Sequence, residues 1–242
     1  MLEVVTAKRM DEGEGVAVKR LFPIFGERMN HDPFVLFDHF EISEGKGFPT
    51  HPHRGFEAIT YLFSGAMRHT DNLGNDSVIT AGGSQIFCAG RGIEHSEMPE
   101  DEGTTSGIQM WINLARARKY IKPSYQMVDA LDLPFSATDG VSVITIVGDS
   151  STAQLQNQIC YQSVQMSPNA YYELTTKNQP GFVYVVTGTL GYGEEGIEQG
   201  QALLFDEEEA VLVVRADNGC HLMIAYGKPH NEPIVQHGPF VD

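Results

Sequence analysis

Short strand-like segments, punctuated by turn residues, fill this chain, and no long amphipathic helix interrupts them. In the first half they read as Phe34–Phe37, Glu57–Phe63, Ala66–Asp71, Ser77–Thr80, Gln85–Cys88 and Gly107–Leu114. In the second they read as Val141–Val147, Tyr161–Met166, Tyr171–Leu174, Phe182–Thr187, Ala202–Phe205, Val211–Arg215 and His221–Tyr226. Each is rich in β-branched and aromatic residues, and turns such as Asn72-Leu73-Gly74-Asn75 separate them. A chain of this texture closes its sheets into a sandwich or barrel, so the expected fold class is all-β.

A length of 242 residues allows one large or two small domains. The texture changes between Ala115 and Gly140, where Arg116, Arg118, Lys119 and Lys122 cluster and Pro123 and Pro134 break the chain. The reading is a first domain over 1–120, a connector over 121–140 and a second domain over 141–242. The tail Gly227–Asp242, with Pro229, Pro233 and Pro239, is expected to run extended and pack back on the surface. The halves also resemble each other. Tyr61-Leu62-Phe63-Ser64-Gly65 parallels Tyr184-Val185-Val186-Thr187-Gly188, and Gly83–Phe87 loosely parallels Gly200–Phe205 in the same order and spacing. That is the mark of an internal duplication.

The net charge of −16 argues against direct contact with nucleic acid or an anionic membrane, and its simplest consequence is solubility. Cys88, Cys160 and Cys220 lie far apart with no CxxC pair, which points to free thiols in a reducing cytoplasm. The start MLEVVTAKRMDEGEG has no signal-type apolar region, and no apolar run reaches the roughly 20 residues of a membrane span. A soluble, cytoplasmic monomer is expected.

Against this background one constellation carries chemistry. His51-Pro52-His53 is answered further along by His95-Ser96-Glu97. Residues i and i+2 of a strand project from one face. Two such strand ends side by side aim three neutral nitrogens and one carboxylate oxygen at one point, a mixed set suited to a divalent first-row metal. Pro52 stiffens the first pair, and Gly90 and Gly92 permit a tight loop before the second.

The duplication offers an internal test. His51 and His53 lie fourteen and twelve residues before Gly65, and the same offsets before Gly188 give Leu174 and Thr176. His95 and Glu97 lie twelve and fourteen after Gly83, and the same offsets after Gly200 give Leu212 and Val214. The second copy lacks every ligand, so one half is built for a metal and the other for packing. The absence of a thiolate disfavours a closed structural zinc site. Open positions suit non-haem iron(II), with manganese, nickel, copper or zinc as other occupants.

The other histidines, His31, His39, His69, His221, His230 and His237, are read as non-ligands, His69 on an exposed strand. Glu57 follows His53 by four and has three readings: a fifth ligand, an acceptor behind a liganding imidazole, or a partner for Arg54. The second is favoured. Gln109, Trp111 and Asn113 alternate along one strand as cavity-lining candidates, with core packing an equal reading of Trp111.

Several strings resemble the pirin family of the cupin superfamily. They are His51-Pro52-His53-Arg54-Gly55-Phe56-Glu57, Thr60-Tyr61-Leu62 and Gly90-Arg91-Gly92-Ile93-Glu94-His95-Ser96-Glu97. With them go Asp32-Pro33-Phe34, Phe37-Asp38-His39-Phe40, Gln109–Leu114, Gly227–Pro233 and His237–Phe240, so the likeness runs almost the whole chain. The resemblance implies a bicupin: two tandem antiparallel cupin β-barrels with metal in the N-terminal one only. It implies His51, His53, His95 and Glu97 as ligands and iron as the usual metal. The general cupin pattern would use the carboxylate at Glu57, whereas pirins use that of the HxE pair. Pirins often carry an aromatic-rich strand before the Gly-Arg-Gly loop, where this chain has Gln85-Ile86-Phe87-Cys88. Some pirins look like quercetin 2,3-dioxygenases. On that reading Glu97 is the general base, and Phe56, Phe87 and Trp111 hold a small phenolic substrate. Others are iron- or redox-sensitive regulators that act through a protein partner, the alternative expectation here.

Overall fold

A computed structural model of the chain describes residues 2–12, 15–192 and 195–242. Its strands are β1 (Glu3–Thr6), β2 (Lys8–Asp11), β3 (Val16–Phe22), β4 (Phe34–Ile42), β5 (Phe48–His53), β6 (Phe56–Ser64), β7 (Ala66–Asp71) and β8 (Asp76–Thr80). Next come β9 (Ser84–Cys88), β10 (Ile93–Pro99), β11 (Thr105–Asn113), β12 (Ser124–Val128), β13 (Phe135–Thr138), β14 (Val141–Val147) and β15 (Ile159–Met166). The chain ends with β16 (Tyr171–Thr175), β17 (Gly181–Tyr192), β18 (Glu195–Glu198), β19 (Gln201–Phe205), β20 (Val211–Gly227), β21 (Gln236–His237) and β22 (Phe240–Val241). The helical elements among the described residues are two single 3₁₀ turns, at Arg116–Arg118 and Ala130–Asp132. The all-β expectation holds.

The strands form two compact units that alternate along the sequence. The first comprises Lys8–Asp132, Ala153–Asn157 and His230–Asp242, the second Met1–Ala7, Leu133–Thr152 and Gln158–Pro229. In the first, a seven-stranded antiparallel sheet runs β12-β9-β6-β11-β4-β3-β2, and a four-stranded one runs β5-β10-β7-β8. In the second, one nine-stranded sheet follows β1-β19-β17-β20-β15-β14-β13, with β16 on β20 and β18 on β17.

The sequence reads as three consecutive blocks, whereas the structure exchanges segments. β1 completes the second unit by pairing Glu3–Thr6 with Leu204–Gln201. β12, inside the expected connector, pairs with β9 of the first. Residues Ala153–Asn157 also belong to the first unit because the buried Glu57 carboxylate holds them. It accepts the Gln156 and Asn157 backbone N–H groups at 2.8 and 3.1 Å and the Asn157 amide at 2.7 Å. Strands β1 and β2 escape sequence reading for a simple reason. They are edge strands whose side chains are largely exposed, so no apolar alternation marks them.

Two clusters fill the first unit. One joins Val35, Leu36, Phe56, Ala58, Phe87, Ala89, Ile93, Trp111 and Val241 beside the histidines. The other joins Val16, Val18, Phe40, Ile42, Leu62, Met67 and Ile79. Val241 comes from the tail, which Lys119 fastens. The Lys119 ammonium donates to Gly55 O and Val241 O, each at 2.8 Å, and to Asn113 Oδ1. Gly55 adopts φ +85°, and a Cβ there would lie 1.9 Å from Val241 O, so only glycine fits this crossing.

The second unit packs Leu174, Leu212 and Val214 into its own core. Leu174 pairs across the ladder with Leu212, as His51 pairs with His95 in the first unit. Thr176, the fourth position matched by the duplication, is buried and donates its hydroxyl to Glu209 O. One barrel frame thus carries imidazoles where the other carries leucines.

Candidate metal centre

β5 and β10 run antiparallel with His51 opposite His95 and His53 opposite Ile93. The i, i+2 spacing therefore aims His51 and His53 the same way, towards His95. Ring centroids are 4.6 Å apart for His51–His53, 4.6 Å for His51–His95 and 4.9 Å for His53–His95. One nitrogen from each ring lies within 4.8 Å of the others, and this is the potential metal-binding group of histidine, cysteine or acidic residues among the described ones. His53 and His95 are buried, and His51 is partly exposed.

Each imidazole is held from behind through Nδ1. His51 Nδ1 meets Pro49 O at 2.7 Å, His53 Nδ1 meets Pro239 O at 3.3 Å, and His95 Nδ1 meets His69 Nδ1 at 3.3 Å. His95 Nε2 is buried with no hydrogen-bond partner. An orphaned polar atom in the interior is costly unless something occupies its lone pair. Burial first, then the neighbouring imidazoles, push His53 down to about 3 and His95 down to about 2. Both rings are thus neutral in ordinary buffers, the form in which imidazole binds a metal. The residues present fit a divalent cation.

Glu97 stands outside the mutual set of three nitrogens but close beside it. The pairing of β10 with β5 shifts register between His95 and Glu97, while the pairing with β7 stays regular. Its carboxylate is buried and held by donors from three strands: Thr60 Oγ1 at 3.1 Å and Gln85 Nε2 on Oε1, and Gln109 Nε2 at 2.8 Å on Oε2. Trp111 Nε1 donates to Gln109 Oε1 at 3.2 Å, which fixes the amide's orientation. Thr60 and Gln85 lie in strings quoted above but had no role assigned to them; their parity with Ala58 and Phe87 was the signal that could have given one.

Glu97, His51, His53, Gln109 and Trp111 line a cavity of about 380 Å³, within the range of small-molecule sites. Its other walls include Leu36, Met29 and Phe48, with Gln236, Gly238 and Pro239 from the tail. Across it, Arg20 makes a bidentate pair with Asp38 at 2.8 and 2.6 Å and reaches Glu12 at 2.8 Å. Burial pushes the Asp38 carboxyl up, and Arg20 opposes the shift.

Four sequence expectations change. Glu57 is not placed behind an imidazole: Gly55 turns the chain between β5 and β6, so counting four residues does not preserve the face. Its carboxylate lies against Gln156 and Asn157 instead. Phe56 and Phe87 do not line the cavity. They are fully buried behind the histidines, Phe87 stacked on His53 at 5.6 Å and Phe56 stacked on Trp111 at 4.2 Å. Asn113 serves Lys119, not the cavity. His69 is not exposed but wholly buried, because Met67, His69 and Asp71 share the inner face of β7 while Arg68 and Thr70 face away. Cys88 stands outside the group of three histidines that could hold a metal ion.

Antiparallel β units of this kind define a cupin, here with three histidines in one unit that could hold a metal ion. The chain belongs to the pirin family. The Pirin family model matches residues 15–112, and that of the Pirin C-terminal cupin domain matches 161–242. A pirin-like protein of Solanum lycopersicum is 37% identical over all of this chain and 86% of its own length. A Pseudomonas aeruginosa protein with the provisional name quercetin 2,3-dioxygenase is 36% identical, covering all of this chain and 90% of its own. Among solved structures, a quercetin 2,3-dioxygenase from Acinetobacter baumannii superposes with a TM-score of 0.91 at 25% identity, over 99% of this chain and 90% of that one. No helix among the described residues is long and apolar enough to cross a membrane.

Proposed function

We propose that this chain is a metal-dependent oxygenase of the quercetin 2,3-dioxygenase type, opening a flavonol-like phenolic with O₂. The observation that carries the reading is the unpartnered, buried His95 Nε2 beside His51 and His53 at a roomy cavity. His51, His53, His95 and Glu97 would hold the cation, with iron(II) the expected one. When bound, the cation supplies Lewis acidity towards a phenolic hydroxyl and redox chemistry towards O₂.

The chain's own groups do the rest. Trp111, Leu36, Met29 and Phe48 flank a planar ring with apolar surface. Glu97 accepts the hydroxyl proton, and the donors Thr60, Gln85 and Gln109 keep it aimed while it does so. The Arg20–Asp38 pair offers donors and acceptors to the far end of the substrate. An open cavity with a partly exposed His51 favours an enzyme over a sealed sensor that acts through a protein partner. Free thiols at all three cysteines support a cytoplasmic setting.

The test is oxygen uptake with carbon monoxide release on adding quercetin to protein loaded with iron(II), manganese, nickel, copper or zinc. His51→Ala should abolish metal and activity together, and Glu97→Gln should spare more metal than activity. No uptake with any of these metals at full occupancy rejects the proposal.

A further inference from the structure

Beside the three imidazoles lies a fourth, His69, which the metal reading does not use. β7 and β10 pair with Asp71 opposite His95 and His69 opposite Glu97. His69 is wholly buried, its ring stacked on Tyr125 at 4.1 Å and 16°. His69 Nε2 lies 3.0 Å from Asp71 Oδ2, and His69 Nδ1 lies 3.3 Å from His95 Nδ1.

The direction of these hydrogen bonds follows from Asp71. Its Oδ1 accepts the backbone N–H groups of Leu73 at 2.9 Å and Asn75 at 3.0 Å, and both oxygens accept the Asn75 amide. A group receiving so many donors is an acceptor throughout. Its Oδ2 therefore takes a proton from His69 Nε2. With its ring proton on Nε2, His69 presents the Nδ1 lone pair to His95, which donates its Nδ1–H there. The His95 proton is thus on Nδ1, and its orphaned Nε2 carries the lone pair. Run the other way, the relay would put a proton on Nε2 and block it.

We propose that His69, oriented by Asp71, is a positioning residue that fixes His95 as the tautomer with Nε2 free for the metal. The proposal rests on the metal reading above. Outer partners of this kind orient a ligand and strengthen its donation, and losing one typically costs about 10–100-fold in metal affinity.

The experiment uses the full chain with Ni²⁺ as probe, affinity being measured by chelator competition. Histidine tautomers in the metal-free protein are read by long-range ¹H–¹⁵N correlation. His69→Leu should weaken Ni²⁺ about 10–100-fold, and His69→Gln, whose carbonyl can accept the same proton, should recover most of it. Asp71→Asn keeps its shape but turns an N–H towards His69, reversing the relay. It should weaken Ni²⁺ as much as His69→Leu and move the His95 proton to Nε2. If His69→Leu does not fold, the tautomer spectrum and Asp71→Asn still decide. Wild-type protein that binds Ni²⁺ but shows His95 protonated on Nε2 before loading overturns this inference alone, as do His69→Leu and Asp71→Asn at wild-type affinity. Wild-type protein that takes up no Ni²⁺ overturns the metal reading and this inference with it.

Discussion

Gly55→Ala should be among the most damaging single-methyl changes in the chain. Gly55 sits between β5 and β6 at φ +85°, where an L-residue pays about 1–2 kcal/mol for the left-handed conformation alone. The added Cβ would also lie 1.9 Å from Val241 O, a backbone atom that yields only if the tail moves. Moving it exposes Val241, whose full burial contributes about 1.5–3 kcal/mol. It also breaks the Val241 N–H bond to Arg54 O at 3.0 Å and the Lys119 bond to Val241 O, each a net contribution of about 1 kcal/mol. Freed tail residues regain chain entropy, which caps the loss, and we expect about 3–5 kcal/mol. Gly74→Ala is the control: φ is +96° there, but no atom lies within 4 Å of the new Cβ, so about 1–2 kcal/mol is expected. Urea denaturation followed by fluorescence gives both values. Agreement of the two variants within about 0.5 kcal/mol, near the scatter of independent sites, would refute the crossing argument. Because Pro239 O faces His53 and Gly238 lines the cavity, Gly55→Ala should also weaken metal binding.

Arg20→Met leaves buried Asp38 without its partner and should cost about 3 kcal/mol by thermal melting, most of it recovered in Arg20→Met/Asp38→Leu. Burial pushes His221 down to about 4, beside Ser163 Oγ at 2.8 Å. The unfolded chain takes up that proton nearer its ordinary 6.5, so this contribution is full above pH 6.5 and is lost as the pH falls towards 4. The loss is on the order of 3 kcal/mol, and His221→Gln should flatten that part of the stability–pH curve. Ni²⁺ at about 100 times its dissociation constant should stabilise the folded chain by about 2.7 kcal/mol, visible as a rise in melting temperature that His95→Ala removes.

The candidate metal site was legible because His51, His53 and His95 obey strand parity within single strands. The duplication predicted Leu174 and Leu212 at the positions of His51 and His95, and the two pairs face each other across equivalent ladders. Parity failed where the chain turns: Gly55 lies between His53 and Glu57, so Glu57 points to the opposite side of β6 from Thr60, which holds Glu97. His69 was misread because its polar neighbours Arg68 and Thr70 belong to the other face. The role of Lys119 was invisible because its acceptors, Gly55 O and Val241 O, are backbone atoms far away in sequence. Those partnerships exist only once the sheets are assembled.

Iron(II) loaded anaerobically into the full chain, counted by elemental analysis and then exposed to O₂ with quercetin tests the oxygenase proposal. One equivalent of iron, oxygen consumption that depends on it, and loss of both in His51→Ala are expected. Consumption that persists in His51→Ala, or none with iron or with manganese, nickel, copper or zinc at full occupancy, would overturn the oxygenase reading.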